Sequence, residues 1–344
     1  MGKIVVIKDK KQIEIRSYNE EELKENEVRI KTLYSGVSAG TQLTLYRGKN
    51  PFNNKVFDRE KRIFSKEQKD GLLYPNFGAW GYEEVGEISE LGKAVKSLKI
   101  GQIVYGTWGH KSTNIVTEEF ALNHLLSEKV DPIIGIYSQM GSIALNAILD
   151  ADIHIGEKIA IFGQGIPGQI VSQLARLNGA EVFAVDLEDY RLDFSKKNGA
   201  TYTFNSKNED VAMKIKEITG KGVDKAIEIS GNPKALHEAI RSTIYNGTVV
   251  CSGFIAQEAT GLFLGEEFHH NRIRIICSQI EGINPQLHYS WDRLRMEKTI
   301  MKLAEEGKLN LRGLITNEFP FEDAKKAYEF LDTSRECLQV VLKF

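Results

Sequence analysis

Cysteine is scarce in this chain of 344 residues: Cys251, Cys277 and Cys337 are the only three, and none precedes Cys251. That excludes a disulfide framework. Each lies in an apolar run, so all three read as small core residues in a reducing compartment. An excess of one charge is also missing. Lys and Arg number 45 against 47 Asp and Glu, a net charge of −2. There is no basic field for nucleic acid or for an anionic membrane surface. No apolar run approaches the ~20 residues of a membrane span. The opening residues, MGKIVVIKD, lack the apolar core of a signal peptide. They also lack the Ser or Thr of a myristoylation site. No repeat or low-complexity segment is visible. The expectation is a cytoplasmic protein with a small-molecule substrate and neither nucleic-acid nor membrane partners. Hydrophobic content of 42% and charged content of 27% suit a globular protein with room for two domains.

One stretch organises the rest. Residues 159–162 are apolar, as in a buried parallel strand. Gly163, Gly165 and Gly168 follow with G-x-G-x-x-G spacing, and Ile170, Leu174 and Leu177 repeat at helical spacing. A second apolar run ends at Asp186, 186 − 163 = 23 residues after the first glycine. This is a dinucleotide fingerprint. The turn spans Gly163, Gln164, Gly165, Ile166, Pro167 and Gly168. Its first glycine allows the tight turn, the second lets backbone approach a pyrophosphate, and the third permits close packing, with the phosphates at the helix N-terminus. A carboxylate such as Asp186 accepts bonds from ribose hydroxyls and repels a 2′-phosphate, which points to NAD as cofactor. Arg191, a turn further on, is placed on the adenine side.

Residues 1–48 alternate as strands and end in a glycine-punctuated loop entering a short helix. Residues 49–72, which include Asp70, are charged and without period: a lid or a solvated loop. Strand-like runs resume to about residue 116, then a helix over 141–151. After Asp186 strands and helices alternate, which argues an α/β, doubly wound parallel sheet. A helix from Trp291 towards Glu306 and a strand–helix–strand tail complete the chain.

Read together, "SGVSAGTQLTLYRG", "GYEEVGEI", "FGQGIPGQIVSQLARLNGAEVFAVD" and "GLITNEFPFEDAKKAYEFL" resemble the medium-chain dehydrogenase/reductase family nearly end to end. "SAGT", "HYSWDRLR" and "LQVVLKF" are similar to the branch that includes bacteriochlorophyllide a dehydrogenase. The resemblance implies a β-rich GroES-like catalytic domain from residues 1–140 and 311–344 and a Rossmann domain over 141–310. It also implies a homo-oligomer, dimer or tetramer, with Ser230-Gly231 and Ser252-Gly253 beside the cofactor. Zinc-dependent relatives carry cysteine where this chain has Ser38, Gly-His-Glu where it has Gly81-Tyr82-Glu83, and Cys, Asp or Glu near Gln139. Their four-cysteine structural zinc lobe is missing as well. A catalytic zinc needs three good ligands, so no metal is expected; the residual possibility is Glu83 with His110.

Reducing a ketone by hydride needs a proton donor or Lewis acid at the oxygen. Without zinc, Tyr82 or His110 is the candidate acid/base, with Lys111 helping electrostatically and Ser38 and Thr41 orienting a hydroxyl. The plainer alternatives are an aromatic plug for Tyr82 and a backbone-satisfied histidine for His110. His288, Trp291 and Arg293 line a substrate cleft or merely start a helix, with Trp291 buried. His269-His270 reads as structural. The expected function is an NAD(H)-dependent oxidoreductase interconverting a secondary alcohol and a ketone without zinc, on a sugar- or cyclitol-like substrate. The alternatives are an NAD(P)H-dependent quinone- or enoyl-type reductase and a non-catalytic nucleotide-binding protein.

Overall fold

The structure, a computed structural model, describes every residue except Gln68 and Asp70. Those two lie in the 49–72 excursion, so that expectation is met only by the residues around them. The chain divides into two compact units, Met1–Gln139 with Ile315–Phe344, and Met140–Leu314.

The first unit opens with β1 (Gly2–Asp9), β2 (Gln12–Tyr18) and β3 (Glu27–Val37), then α1 (Thr41–Tyr46). The 49–72 excursion is more ordered than its lack of period implied. It holds a two-stranded hairpin, β4 (Phe57–Asp58) and β5 (Ile63–Phe64), on which Phe52, Phe57 and Phe64 pack. Sequence periodicity misses a segment held by aromatic pairs rather than by one continuous face. Next come β6 (Asn76–Phe77), β7 (Glu84–Leu91), β8 (Ile103–Gly106), β9 (Thr113–Thr117) and α2 (Glu118–Asn123).

The helix expected from residue 141 starts earlier, as α3 (Tyr137–Ala151). With the 3₁₀ turn before it, Pro132–Ala151 is 20 residues long and apolar enough to meet the length and composition of a membrane span. Ser, Gln and Asn interrupt the run, so it does not stand out as one continuous apolar stretch in the sequence. Of its apolar window, 83% is buried within the protein, as a core helix requires.

The second unit carries β10 (Lys158–Phe162), α4 (Ile166–Leu177), β11 (Glu181–Asp186), α5 (Asp189–Lys197), β12 (Tyr202–Asn205), α6 (Val211–Thr219) and β13 (Val223–Glu228). It continues through α7 (Pro233–Ser242), β14 (Thr243–Cys251), β15 (Arg274–Cys277) and α8 (Arg293–Glu305). All six strands are parallel, in the order β12-β11-β10-β13-β14-β15. This is the doubly wound Rossmann order. Ile159, Ala160, Ile161 and Phe162 are all essentially unexposed, as a strand covered on both faces demands. Helix starts are capped by short polar side chains: Asp210 accepts from Met213 N, and Asn232 from Lys234 N.

The chain then returns to the first unit with β16 (Ile315–Pro320), α9 (Ala324–Thr333) and β17 (Gln339–Lys343). The main sheet there runs β16-β17-β3-β7-β8, with β9 also on β3. Tyr328 of α9 and Val340 of β17 join Val5, Val37 and Tyr46 in one core cluster.

Candidate active site

Two sites emerge, one in each unit. In the parallel sheet, β10 ends at Gly163, whose φ of +101° is a backbone conformation that side chains rarely tolerate. A Cβ on Gly168 would overlap the Gly163 carbonyl oxygen. A Cβ on Gly165, by contrast, would meet nothing within 4 Å. The open side of the turn is thus at the middle glycine, and the crowded side at the third. Pro167 sits in the first turn of α4, where its missing N–H costs nothing.

Asp186 does more than its spacing indicated. Its Oδ2 accepts from Gln164 N at 2.6 Å, and its Oδ1 from Leu187 N at 2.8 Å and Glu188 N at 3.0 Å. A carboxylate has about four acceptor sites, so three backbone bonds still leave capacity for a hydroxyl. Arg191 Nη1 lies 3.9 Å from Oδ2. The Gln164 side chain is wholly internal, bonded to Ile161 O, Ser172 Oγ and Ser195 Oγ.

The sequence reading missed Glu228, at the end of β13. It is fully buried. Its Oε1 accepts from Ser230 N, Ser230 Oγ and Gly231 N at 2.5–2.9 Å. Its backbone oxygen accepts from Ser252 N and Gly253 N. One acid therefore ties both expected turns, Ser230-Gly231 and Ser252-Gly253, to each other at the carboxyl ends of the strands, where open α/β sheets bind ligands. The available signal was an acid inside an otherwise apolar strand end, "AIEIS".

In the first unit the loop after β3 meets the turn before β7. The Tyr82 hydroxyl donates to Ser38 Oγ at 2.7 Å. Glu83, fully buried, receives Gln339 Nε2 on Oε2 at 3.1 Å, while its Oε1 is buried without a partner. Three consecutive residues before Gly81 have positive φ: Gly78 (76°), Ala79 (52°) and Trp80 (53°). Such a left-handed turn costs roughly 1–2 kcal/mol for each non-glycine residue, and it sets the direction in which Tyr82 leaves the backbone.

His110 lies beside Glu84, the first residue of β7, with its Nδ1 3.8 Å from Glu84 Oε1. Its ring is fully buried. Nδ1 stands 2.6 Å from Ser35 Oγ; Nε2 stands 2.9 Å from Gln42 Oε1 and 3.1 Å from the Tyr328 hydroxyl. Ser35 Oγ also donates to Glu84 Oε1 at 2.8 Å. Both ring nitrogens are thus engaged inside the protein. Lys111 is half-buried, and burial lowers its ammonium pKa. Glu84, Ser35, Gln42 and Tyr328 carry no local sequence signal; only the fold assembles them.

Burial controls the charges here. It raises Glu83 to about 8, with Glu84 adding repulsion, and Glu84 to about 7. It pulls His110 down to about 3, so the imidazole is neutral. Tyr82 keeps some surface exposure, but dense packing around its hydroxyl and the neighbouring Glu83 push the phenol well above 10. A carboxyl whose folded pKa exceeds its unfolded value of 4.5 binds more protons when folded. The stability it contributes is complete below 4.5 and is lost as pH rises through 7 and 8. Urea unfolding is therefore expected to show a lower midpoint at pH 8.5 than at pH 5.5, and Glu84→Gln to flatten part of that decline.

The donor set does not fit a zinc ion. Two oxygens on tetrahedral zinc at ~2.0–2.1 Å stand about 3.3 Å apart; Ser38 and Tyr82 are in direct hydrogen-bond contact instead. The phenol holds its proton, and the remaining candidate, Gln139, offers an amide. Glu83 with His110 does not form a site either: Glu83 Oε2 is taken by Gln339, and both ring nitrogens of His110 are engaged by Ser35, Gln42 and Tyr328. Among the described residues, the group of three His, Asp, Glu or Cys side chains close enough to share an ion is His237, Glu266 and Glu267, in the other unit.

Several expected placements change. Only Cys337 is buried; Cys251 is intermediate and Cys277 exposed, because β15 is an edge strand of the parallel sheet. His269 and His270 lie at the surface rather than in the framework. His288 is exposed, and Trp291 is half-buried beneath the Arg295 guanidinium at 4.2 Å. Arg293 pairs with Glu297 on its own helix.

Residues 168–294 match the family model described as zinc-binding dehydrogenase. D-guloside 3-dehydrogenase of Escherichia coli K12 is 30% identical over 329 residues, covering 93% of both chains. The crystal structure of 2R,3R-butanediol dehydrogenase from Bacillus subtilis superposes with a TM-score of 0.79 at 22% identity, covering 100% of both chains. A protein from Sinorhizobium meliloti 1021, crystallised with NADP, superposes at 0.78 with 19% identity, over 100% of this chain and 99% of its own. The chain belongs to the zinc-binding dehydrogenase family within the medium-chain dehydrogenase/reductase superfamily, and it is an alcohol dehydrogenase-like oxidoreductase.

Proposed function

We propose that the protein interconverts a secondary alcohol and a ketone on a sugar- or polyol-like substrate, using NAD(H) and no catalytic zinc. The observation that carries this reading is the Tyr82–Ser38 hydrogen bond at 2.7 Å, standing where zinc-dependent relatives hold their metal. Bound NAD supplies the hydride acceptor. Asp186, already oriented by three backbone amides, favours a free ribose over a 2′-phosphate. The oxygen chemistry falls to the first unit. Tyr82 holds its proton at neutral pH and gives it to the far more basic alkoxide that hydride addition creates. Ser38 Oγ, which accepts from Tyr82, orients that hydroxyl. Burial of its hydroxyl keeps the phenol protonated until an alkoxide is present. In the oxidation direction the step runs backwards: Tyr82, having first lost its proton to solvent, takes the substrate hydroxyl proton as a phenolate, and Ser38 orients that hydroxyl. The named activity of the E. coli relative supports a glycoside or related ring alcohol as substrate.

The test is turnover by metal-stripped enzyme, assayed with NAD and NADP against a panel of glycosides, sugars and cyclitols. Retained activity after chelation, with NAD preferred, is expected. Loss on chelation with recovery by zinc, or a strong preference for NADP, overturns the corresponding half.

A further inference from the structure

Cys251 and Cys277 are direct register partners on the parallel strands β14 and β15. Neighbouring strands lie ≈ 4.7–4.9 Å apart, and register partners project to the same face. That spacing falls inside the 4.4–6.8 Å Cα range of disulfides. Cys277 is exposed and Cys251 only partly buried. The two thiols feel each other: burial, Glu228 and Cys277 together push Cys251 up to about 12. β15 pairs on one side only, which leaves it the more movable partner.

We propose that these residues are an oxidative modification site, in which a peroxide joins Cys277 to Cys251 as a reversible cross-strand disulfide that weakens dinucleotide binding. The exposed Cys277 reacts first, as its thiolate. Its sulfur attacks one peroxide oxygen, the O–O bond breaks, and Cys277 becomes a sulfenic acid while the departing hydroxide takes a proton to become water. The Cys251 sulfur then attacks the Cys277 sulfur. An S–S bond forms, the S–O bond breaks, and a second water leaves with the Cys251 proton. Two thiols are oxidised and one peroxide is reduced to two waters. Cys251, with its raised pKa, is the slower thiolate, but the intramolecular geometry compensates.

The location gives the cross-link a consequence. Disulfide Cβ atoms approach to about 3.8 Å, closer than the strand spacing, so the carboxyl end of β15 must shift towards β14. The Cys251 carbonyl holds Ser278 N at 2.9 Å, and the next two residues, Ser252 and Gly253, bind the Glu228 carbonyl. The shift is transmitted into the turn assigned to the cofactor. The cross-link itself does not depend on that assignment; its effect on affinity does.

Full-length protein is treated with hydrogen peroxide, digested without reductant and examined by mass spectrometry. NADH affinity is followed by fluorescence before and after dithiothreitol. The expected result is a Cys251–Cys277 peptide lighter by two hydrogen atoms, absent in Cys251→Ser and in Cys277→Ser. The latter lies at the exposed edge and guards against a folding defect. Affinity should fall roughly tenfold and recover on reduction. Cys277 recovered only as sulfinic or sulfonic acid, or unreacted, overturns the disulfide. A cross-link that forms without changing NADH affinity overturns its effect. If the reduced protein binds no dinucleotide at all, the cofactor reading fails while the mass result still decides the cross-link.

Discussion

Gly168→Ala is expected to abolish measurable dinucleotide binding, a loss of roughly a hundredfold or more, worth about 3 kcal/mol. The added Cβ would overlap the Gly163 carbonyl oxygen and come within 3.4 Å of Ile229 Cγ2. Neither neighbour is the free end of a flexible chain. The turn must open, and Gly163, held at positive φ with its N–H on Val185 O, cannot follow without breaking strand pairing. Overpacking of this kind also destabilises by about 1–3 kcal/mol. Gly165→Ala is the discriminating control. Its Cβ meets no protein atom, so the fold should keep its melting temperature, while any ligand seated against that backbone would lose affinity. Titration of NADH fluorescence and a thermal melt on both variants decide the matter. Equal stability for both would overturn the crowding at Gly168, and unaltered affinity for Gly168→Ala would show that the turn is not the binding surface.

Tyr82→Phe is expected to lower kcat by about 10²- to 10⁴-fold, the span of a positioned general acid, and to leave NADH affinity unchanged. Phenylalanine fills nearly the same space, so the melt should shift little: one hydrogen bond to Ser38, about 1 kcal/mol. Ser38→Ala should produce a smaller fall in kcat, since it removes the orienting partner and not the proton. A further signature lies in pH. The wild-type rate of ketone reduction should stay flat through neutrality, because the phenol keeps its proton well above pH 10. A Tyr82→Phe enzyme that retains full kcat would leave Tyr82 as an aromatic filler of the vacated metal position and shift attention to Glu83.

How much of this was legible in the chain depends on how far apart the cooperating residues are. The strand, turn, helix and acid from Lys158 to Asp186 are contiguous, and their period and glycines state the local geometry outright. Ser38, Tyr82 and Glu83 could be paired only through likeness to a family, since 44 residues separate Ser38 from its hydrogen-bond partner. The network around His110 draws on Gln42, Glu84 and Tyr328, 286 residues apart at the extremes. No periodicity encodes such contacts. Nor does the role of Glu228 in tying two turns together show in any spacing. The hairpin at 57–64 failed to register for a related reason. Its strands are two residues each, too short to alternate.

The placement of β17 has a consequence for the order in which the molecule is made. This strand lies between β16 and β3, covering the edge of β3 at residues 34–37. Its Gln339 is the partner of Glu83, and Tyr328 just before it completes the cluster on His110. A ribosome therefore finishes the parallel sheet and its glycine turn while the N-terminal strands still await two members, β16 and β17. Until residue 339 has emerged, the nascent first unit carries an open strand edge and an acid with no amide to meet it. Synthesis of the segment from Ile315 to Lys343, not merely folding of what precedes it, completes the surroundings of Glu83 and His110, and it does so after the parallel sheet is already built.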